Sequence, residues 1–228
     1  QTLESLRHLT IEETYELGDA ILDGNLDEVK KEVGDLLLHL VFYAKIGSEK
    51  GAFDIADVSH SLCDKLVERH PHVYGDTKVE NEEEVKQNWE KLKLKKKTDS
   101  VLSGVPKSLP ALVKAERIQD KVAGVGFDWD NRSQVFEKVK EEIAELDEAI
   151  ANKEPDPMED EMGDIFFSLI NYCRYIGINA ESALERTNKK FIRRFQAMEE
   201  MTRQENTKLS DMNLEEMDQL WERSKKLE

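Results

Sequence analysis

The chain carries IEETYEL at residues 11–17 and KEVGDLL at 31–37, then KEEIAEL at 140–146 and DEMGDIF at 160–166. These four stretches decide the reading. Glu13, Glu16, Glu32 and Asp35 return 129 residues later as Glu142, Glu145, Glu161 and Asp164, and both copies leave 15 residues between the second carboxylate and the third. A repeat holding register at four positions is improbable by chance, even in an acidic chain. Apolar residues recur between the carboxylates at three- and four-residue spacing, the period of an amphipathic helix. Paired carboxylates at that spacing are what a hard, oxygen-seeking cation requires.

Working outward, capping and breaking residues divide the chain into helices. Thr10-x-x-Glu13 matches a capping box, so a first helix is expected from Thr10 to about Leu22. Asp23-Gly24-Asn25 ends it, and Asn25 can cap a second helix to about Gly47. A third is expected from Asp54 to near His70, before Pro71. A fourth follows the loop His72 to Val79 and runs from about Glu82 to Lys97. In the second half an extra helix, about Leu109 to Ala123, precedes the same plan: Ser133 opens the carboxylate helix and Asn152-Lys153-Glu154-Pro155 forms the turn. Asn179 stands where Asp54 stood, and the block from Trp221 matches the block from Trp89. The expected fold is all-α, two tandem helical bundles from an internal duplication, with residues 1–98, a linker at 99–107, and 108–228.

The turns supply the geometry. Glu16 and Glu32 each lie 8 residues from Gly24, and Glu13 and Asp35 each lie 11 away. An antiparallel hairpin folded there brings all four carboxylates to one patch. The same arithmetic around Lys153 gathers Glu142, Glu145, Glu161 and Asp164. Like charges so close repel, so some pKa values rise or a cation binds. Ligation by carboxylate oxygens alone selects Mg²⁺, Mn²⁺ or Ca²⁺ over zinc or copper, and Mg²⁺ commonly shares its shell with phosphates.

A triphosphate on such a site needs cations for its distal charge. Lys190 and Arg194 share one helix face in Asn188-Lys189-Lys190-Phe191-Ile192-Arg193-Arg194, with Asn188 nearby. Lys65 and Arg69 stand at the equivalent positions of the first half, without the Asn. Trp129, in Gly-Phe-Asp-Trp-Asp, and Trp221 are candidates for stacking on a base. His70-Pro71-His72 reads as a helix-ending turn and His39 as a core or interface residue. Lys93, Lys95, Lys96 and Lys97 form a basic helix end.

The net charge of −16 argues against a nucleic-acid polymer as partner. No stretch approaches the length of a membrane span and no signal peptide is visible. Cys63 and Cys173 form no pair and suit a reducing cytoplasm, where buried free thiols are ordinary.

The two carboxylate blocks resemble the EExxE…ExxD signature of the MazG nucleotide pyrophosphohydrolases. DKLVERHPHVYGD at 64–76, GVPKSLPAL at 104–112, VGFDWD at 125–130 and NKKFIRRF at 188–195 look like the two-domain form of that family, and the resemblance covers essentially the whole chain. It implies MazG-like helical domains, dimers, and hydrolysis of nucleoside triphosphates to monophosphate and pyrophosphate with Mg²⁺. Glu142, Glu145, Glu161 and Asp164 would be the metal ligands of the second site. Lys190 and Arg194 would meet phosphates, with Asn188 close by, and Trp221 matches a tryptophan near the end of related chains. Glu13, Glu16, Glu32 and Asp35 match the same signature in the first half. Family members normally carry a GCPWD-like segment before the Gln-Thr found here as Gln1-Thr2, so the chain is expected to start inside its first domain, and the second site is expected to be the active one. A di-iron protein would use Glu-x-x-His pairs, which these motifs lack. The rival is a non-catalytic, nucleotide-binding helical dimer.

Overall fold

The computed structural model describes residues 1–74, 100–153 and 155–227. The chain divides into two compact units, Gln1–Ser103 and Gly104–Glu228. Every regular element among the described residues is helical, as the spacing of apolar residues required. No helix among them is long and apolar enough to cross a membrane. The helix expected over 82–97, with Trp89 and the lysines at 93–97, lies outside the described residues.

The first unit contains α1 (Leu3–Leu22), α2 (Leu26–Glu49), α3 (Ile55–Arg69) and the single turn α4 (Pro71–Tyr74). Helix α1 starts seven residues before the expected Thr10. Its cap is Thr2: the Ser5 N–H donates to Thr2 Oγ1 at 3.1 Å, and the Thr2 N–H donates to Ser5 Oγ at 2.8 Å. Thr10 sits mid-helix, its hydroxyl donating back to the Leu6 carbonyl at 2.9 Å, the usual accommodation of a threonine inside a helix. Thr10 Oγ1 also lies 2.8 Å from the Tyr43 hydroxyl and 3.3 Å from Nδ1 of His39, tying α1 to α2 through a half-buried polar contact. Gly24 closes the turn between them at φ 67, a left-handed conformation that favours glycine. Asn25 caps α2 as expected, accepting the Glu28 N–H.

Asp54 caps α3 in a reciprocal box with Asp57. His70 ends that helix, and its Nδ1 donates to the Leu66 carbonyl at 2.8 Å. No residue of α3 is buried. Cys63 is therefore exposed, against the expectation of a buried thiol, because the described neighbours leave the stripe of Ile55, Val58, Leu62 and Leu66 uncovered.

A 3-10 turn (Val101–Gly104) straddles the division, and the second unit then contains α5 (Ala111–Ala123), α6 (Arg132–Asn152), α7 (Pro155–Tyr175), α8 (Ala180–Gln204) and α9 (Leu214–Lys225), with a second 3-10 turn at Leu209–Asp211. Helices α6 and α7 form the hairpin, α5 packs on α7 and α8, and α9 packs on α8. Helix α6 is capped by Asn131, two residues before the expected Ser133: Asn131 Oδ1 accepts the Gln134 N–H at 3.2 Å and the Ser133 hydroxyl at 2.5 Å. Lys153 turns the chain at φ 59, and Pro155 occupies the first position of α7, where its missing N–H is harmless. Asn179 caps α8. Val135, Val139, Ala149, Ile165, Ile170, Ala180, Met198 and Leu220 form the core of this unit.

Candidate active site

The hairpins carry out the spacing argument. Oxygens of Glu13, Glu16 and Glu32 lie within 4.8 Å of one another, and so do oxygens of Glu142, Glu145 and Glu161. The fourth member of each set stands at its margin. Asp35 is near enough to raise the Glu13 pKa, and Asp164 lies with Glu142 on the wall of a cavity.

Burial within each set is graded. Glu32 and Glu142 are buried, Glu13 and Glu161 are half-buried, and Glu16 and Glu145 are exposed. A buried carboxylate beside two others is costly unless something positive compensates it. Lysines do so in part. Lys31 Nζ lies 2.9 Å from Glu32, and Lys138 Nζ lies 2.7 Å from both Glu141 and Glu142. Both ammonium groups are held above their ordinary pKa, Lys31 by its hydrogen bond to Glu32 and Lys138 by those to Glu141 and Glu142.

The compensation is incomplete. Glu32 Oε2 is buried with no hydrogen-bond donor. Glu13 is pushed above the usual carboxylate range by desolvation, then by sharing a hydrogen bond with Glu32 and by the charges of Asp35 and Glu16. Glu145 is pushed up by its hydrogen bond to Glu142, then by desolvation and the charges of Glu142 and Glu161. An orphaned buried oxygen and carboxylates reluctant to ionise together fit a divalent cation bound by oxygen.

A cavity of about 670 Å³ adjoins the second set. That size suits a small organic ligand. Glu142, Asp164 and Lys138 line it, together with Gln119 from α5, Asn171 and Arg174 from α7, and the aromatic pair Phe127 and Trp129. Trp129, singled out from sequence, thus shares a wall with two of the carboxylates. Lys190, Arg194, Asn188 and Trp221 are not on that wall. The Arg194 guanidinium lies 5.6 Å from the Trp221 ring centre, Phe191 packs on the same ring at 5.0 Å, and Asn188 Nδ2 donates to Glu185 within α8.

Sequence reasoning missed Lys138, Gln119, Asn171 and Arg174. Lys138 had a signal, four residues before Glu142 on one helix face. Gln119 had none: a glutamine in an amphipathic helix does not announce that its Nε2 will donate to the Phe167 carbonyl at 2.8 Å.

Two stretches of the chain, residues 1–74 and 131–198, match the MazG nucleotide pyrophosphohydrolase domain. The chain belongs to the MazG family. Its two matched stretches contain both carboxylate sets, while α5 and the Phe127–Trp129 segment fall outside them. The chain is 40% identical over 234 residues to the nucleoside triphosphate pyrophosphohydrolase of Escherichia coli K12, spanning 100% of this chain and 89% of that protein. It is 42% identical over 228 residues to the nucleoside triphosphate pyrophosphohydrolase/pyrophosphatase MazG of Thermotoga maritima, spanning 99% and 87%. The uncharacterized protein YabN of Bacillus subtilis is 44% identical over 233 residues, and there the match takes 47% of the longer protein. As a MazG protein the chain is a hydrolase.

Proposed function

We propose that the second unit hydrolyses ribo- and deoxyribonucleoside triphosphates at the α–β phosphoanhydride, releasing nucleoside monophosphate and pyrophosphate. One observation carries this reading. Glu142 belongs both to the carboxylate cluster and to the cavity wall, so a ligand in the cavity can reach the cation site. The names of the relatives supply the reaction class.

Mg²⁺, with Mn²⁺ as a substitute, would be held by Glu142, Glu145, Glu161 and Asp164, and in the first unit by Glu13, Glu16, Glu32 and Asp35. When bound, such an ion neutralises phosphate oxygens and lowers the pKa of water. The chain's own residues do the rest. The oxygen of an attacking water bonds to the α-phosphorus as the bridge to the β-phosphorus breaks. Glu145, the exposed member of the cluster, accepts the proton of that water once the cation has displaced its own. Lys190 and Arg194, with Asn188 beside them, offset charge on the departing pyrophosphate. Trp129 and Trp221 are the platforms for the base.

Because Lys190 and Arg194 do not line the cavity, this assignment goes with a homodimer in the cytoplasm. Large apolar side chains left exposed on α7 and α8, among them Phe166, Leu169, Phe191 and Ile192, support a second copy as their cover.

The test is product analysis with Mg²⁺ and a panel of triphosphates. Monophosphate plus pyrophosphate, lost on adding EDTA, is expected. Diphosphate plus phosphate would mean that a different phosphorus is attacked. Binding without turnover would favour a nucleotide-binding dimer.

A further inference from the structure

The peptide of Trp129 is pinned on both sides by side chains, although its indole is not core. The Trp129 N–H donates to Asp128 Oδ1 at 2.9 Å, and the same oxygen accepts from the Arg174 guanidinium. The Trp129 carbonyl accepts the Tyr175 hydroxyl at 2.6 Å. One residue on, the Asp130 N–H donates to Gln134 Oε1 at 3.1 Å.

Arg174 is itself oriented: Nε and a terminal nitrogen both donate to Asn171 Oδ1, at 3.1 and 2.9 Å, and its guanidinium lies 5.9 Å from the Tyr175 ring centre. Arg174 and Tyr175 occupy the last turn of α7, the helix that carries Asp164 at the carboxylate end of the same cavity. Here the held residue keeps 42% of its surface exposed and lines the cavity.

We propose that Arg174 and Tyr175 are positioning residues for Trp129, fixing the main chain from which its indole serves as a platform for the nucleobase, at a set distance along α7 from the carboxylates that take the phosphates. This rests on the nucleotide reading above. Holding the segment that carries the indole before the ligand arrives removes that part of the ordering cost from the binding step. The clamp therefore acts on recognition of the base and leaves recognition of the triphosphate alone.

The experiment uses the full chain. KM and kcat are measured for ATP, and inorganic tripolyphosphate, which has no base, is titrated as a competitor in the same Mg²⁺ buffer. The variants are Tyr175→Phe, which removes one hydroxyl and keeps the ring, Arg174→Met, Trp129→Ala, and the double variant Trp129→Ala with Tyr175→Phe.

Tyr175→Phe and Arg174→Met should each raise the KM for ATP roughly 3- to 10-fold, the cost of re-immobilising one side chain. The kcat and the inhibition constant of tripolyphosphate should hold. Trp129→Ala should raise KM at least as much, and adding Tyr175→Phe to it should change nothing further, because the clamp acts through the indole. Parallel weakening of ATP and tripolyphosphate would overturn the proposal by making the clamp a general support of the site. A full Tyr175→Phe effect in the Trp129→Ala background would overturn it by taking the indole out of the path. Failure of the parent chain to release pyrophosphate from any triphosphate is a different result: it removes the activity reading, and this inference with it.

Discussion

Glu142→Gln separates a cation site from a structural ion pair, and the geometry fixes what each alternative must do. Glu142 is 5% exposed, with two like-charged neighbours inside 4.8 Å and Lys138 at 2.7 Å. Coulomb energy scales as the inverse of distance. With both separations inside 4.8 Å, the two repulsions together weigh at least about 0.42 per ångström, against about 0.37 for the attraction at 2.7 Å. Neutralising Glu142 relieves at least as much repulsion as it gives up in attraction, so the metal-free variant should be no less stable than the parent. With Mg²⁺ the two should part. A cation at a hundred times its dissociation constant stabilises a folded protein by about 2.7 kcal/mol. For a unit of this size that is a rise in Tm of roughly 10 °C. The parent should show that rise in the transition of the second unit when the full chain is melted in a calorimeter, and Glu142→Gln should lose most of it there, along with pyrophosphate release. A metal-free variant that melts several kcal/mol lower, while keeping its Mg²⁺ response, would refute the reasoning and make Glu142 the partner of Lys138 alone.

Protons should leave as the metal enters. Glu13 and Glu145 have raised pKa values in the metal-free fold. A carboxylate whose folded pKa lies above its unfolded value destabilises the fold at high pH, and that penalty fades as pH falls through the folded pKa. Mg²⁺ affinity should run the other way, falling as pH drops through the same range, with proton release seen by calorimetry in buffers of different ionisation enthalpy; uptake that did not weaken as pH fell toward the ordinary glutamate value would count against carboxylate ligation. Gly47→Ala should destabilise the first unit by about 1–3 kcal/mol in a urea titration, because an added Cβ would lie 2.7 Å from the Phe53 ring and 2.8 Å from its carbonyl oxygen. Asn213→Ala should cost about 1 kcal/mol, since Asn213 and Glu216 form a reciprocal box at the start of α9.

The sequence made the hairpins legible because their information is periodic. Apolar spacing gave the helices, and equal distances from Gly24 and Lys153 gave the meeting of glutamates across each turn. What it could not yield were contacts set by tertiary approach. Thr10 reads as a cap by its chemistry and by Glu13 three residues on. The chain instead continues back to Thr2, whose partner Ser5 satisfies the same box without the expected acidic residue. The cavity was half legible. Trp129 stood out as an aromatic ahead of the carboxylate helix, but Gln119, Asn171 and Arg174 come from two other helices, and no spacing rule links residues 119, 129 and 174.

The duplication makes the two carboxylate sets comparable, and their surroundings differ in a way that assigns work. In the first unit the buried Glu32 leans on Lys31, whose side chain is 61% exposed, and keeps one oxygen without a donor. In the second, Lys138 is shared between Glu141 and Glu142 and itself lines the cavity with Trp129 and Asp164. An ion could find oxygens in either place. A nucleotide needs walls as well, and the Phe127–Trp129 segment and α5 that supply them belong to the second unit. Paired single substitutions in the full chain put the difference to work: Glu142→Gln should abolish pyrophosphate release, whereas Glu32→Gln should leave kcat for ATP within about twofold while relieving the unpaired burial of its carboxylate. Equal loss in both variants would mean that the two sets act as one catalytic system, and loss in Glu32→Gln alone would move catalysis to the first unit. Because each substitution removes the one buried carboxylate of its own set, a difference between them reports the site's surroundings rather than the chemistry of the residue.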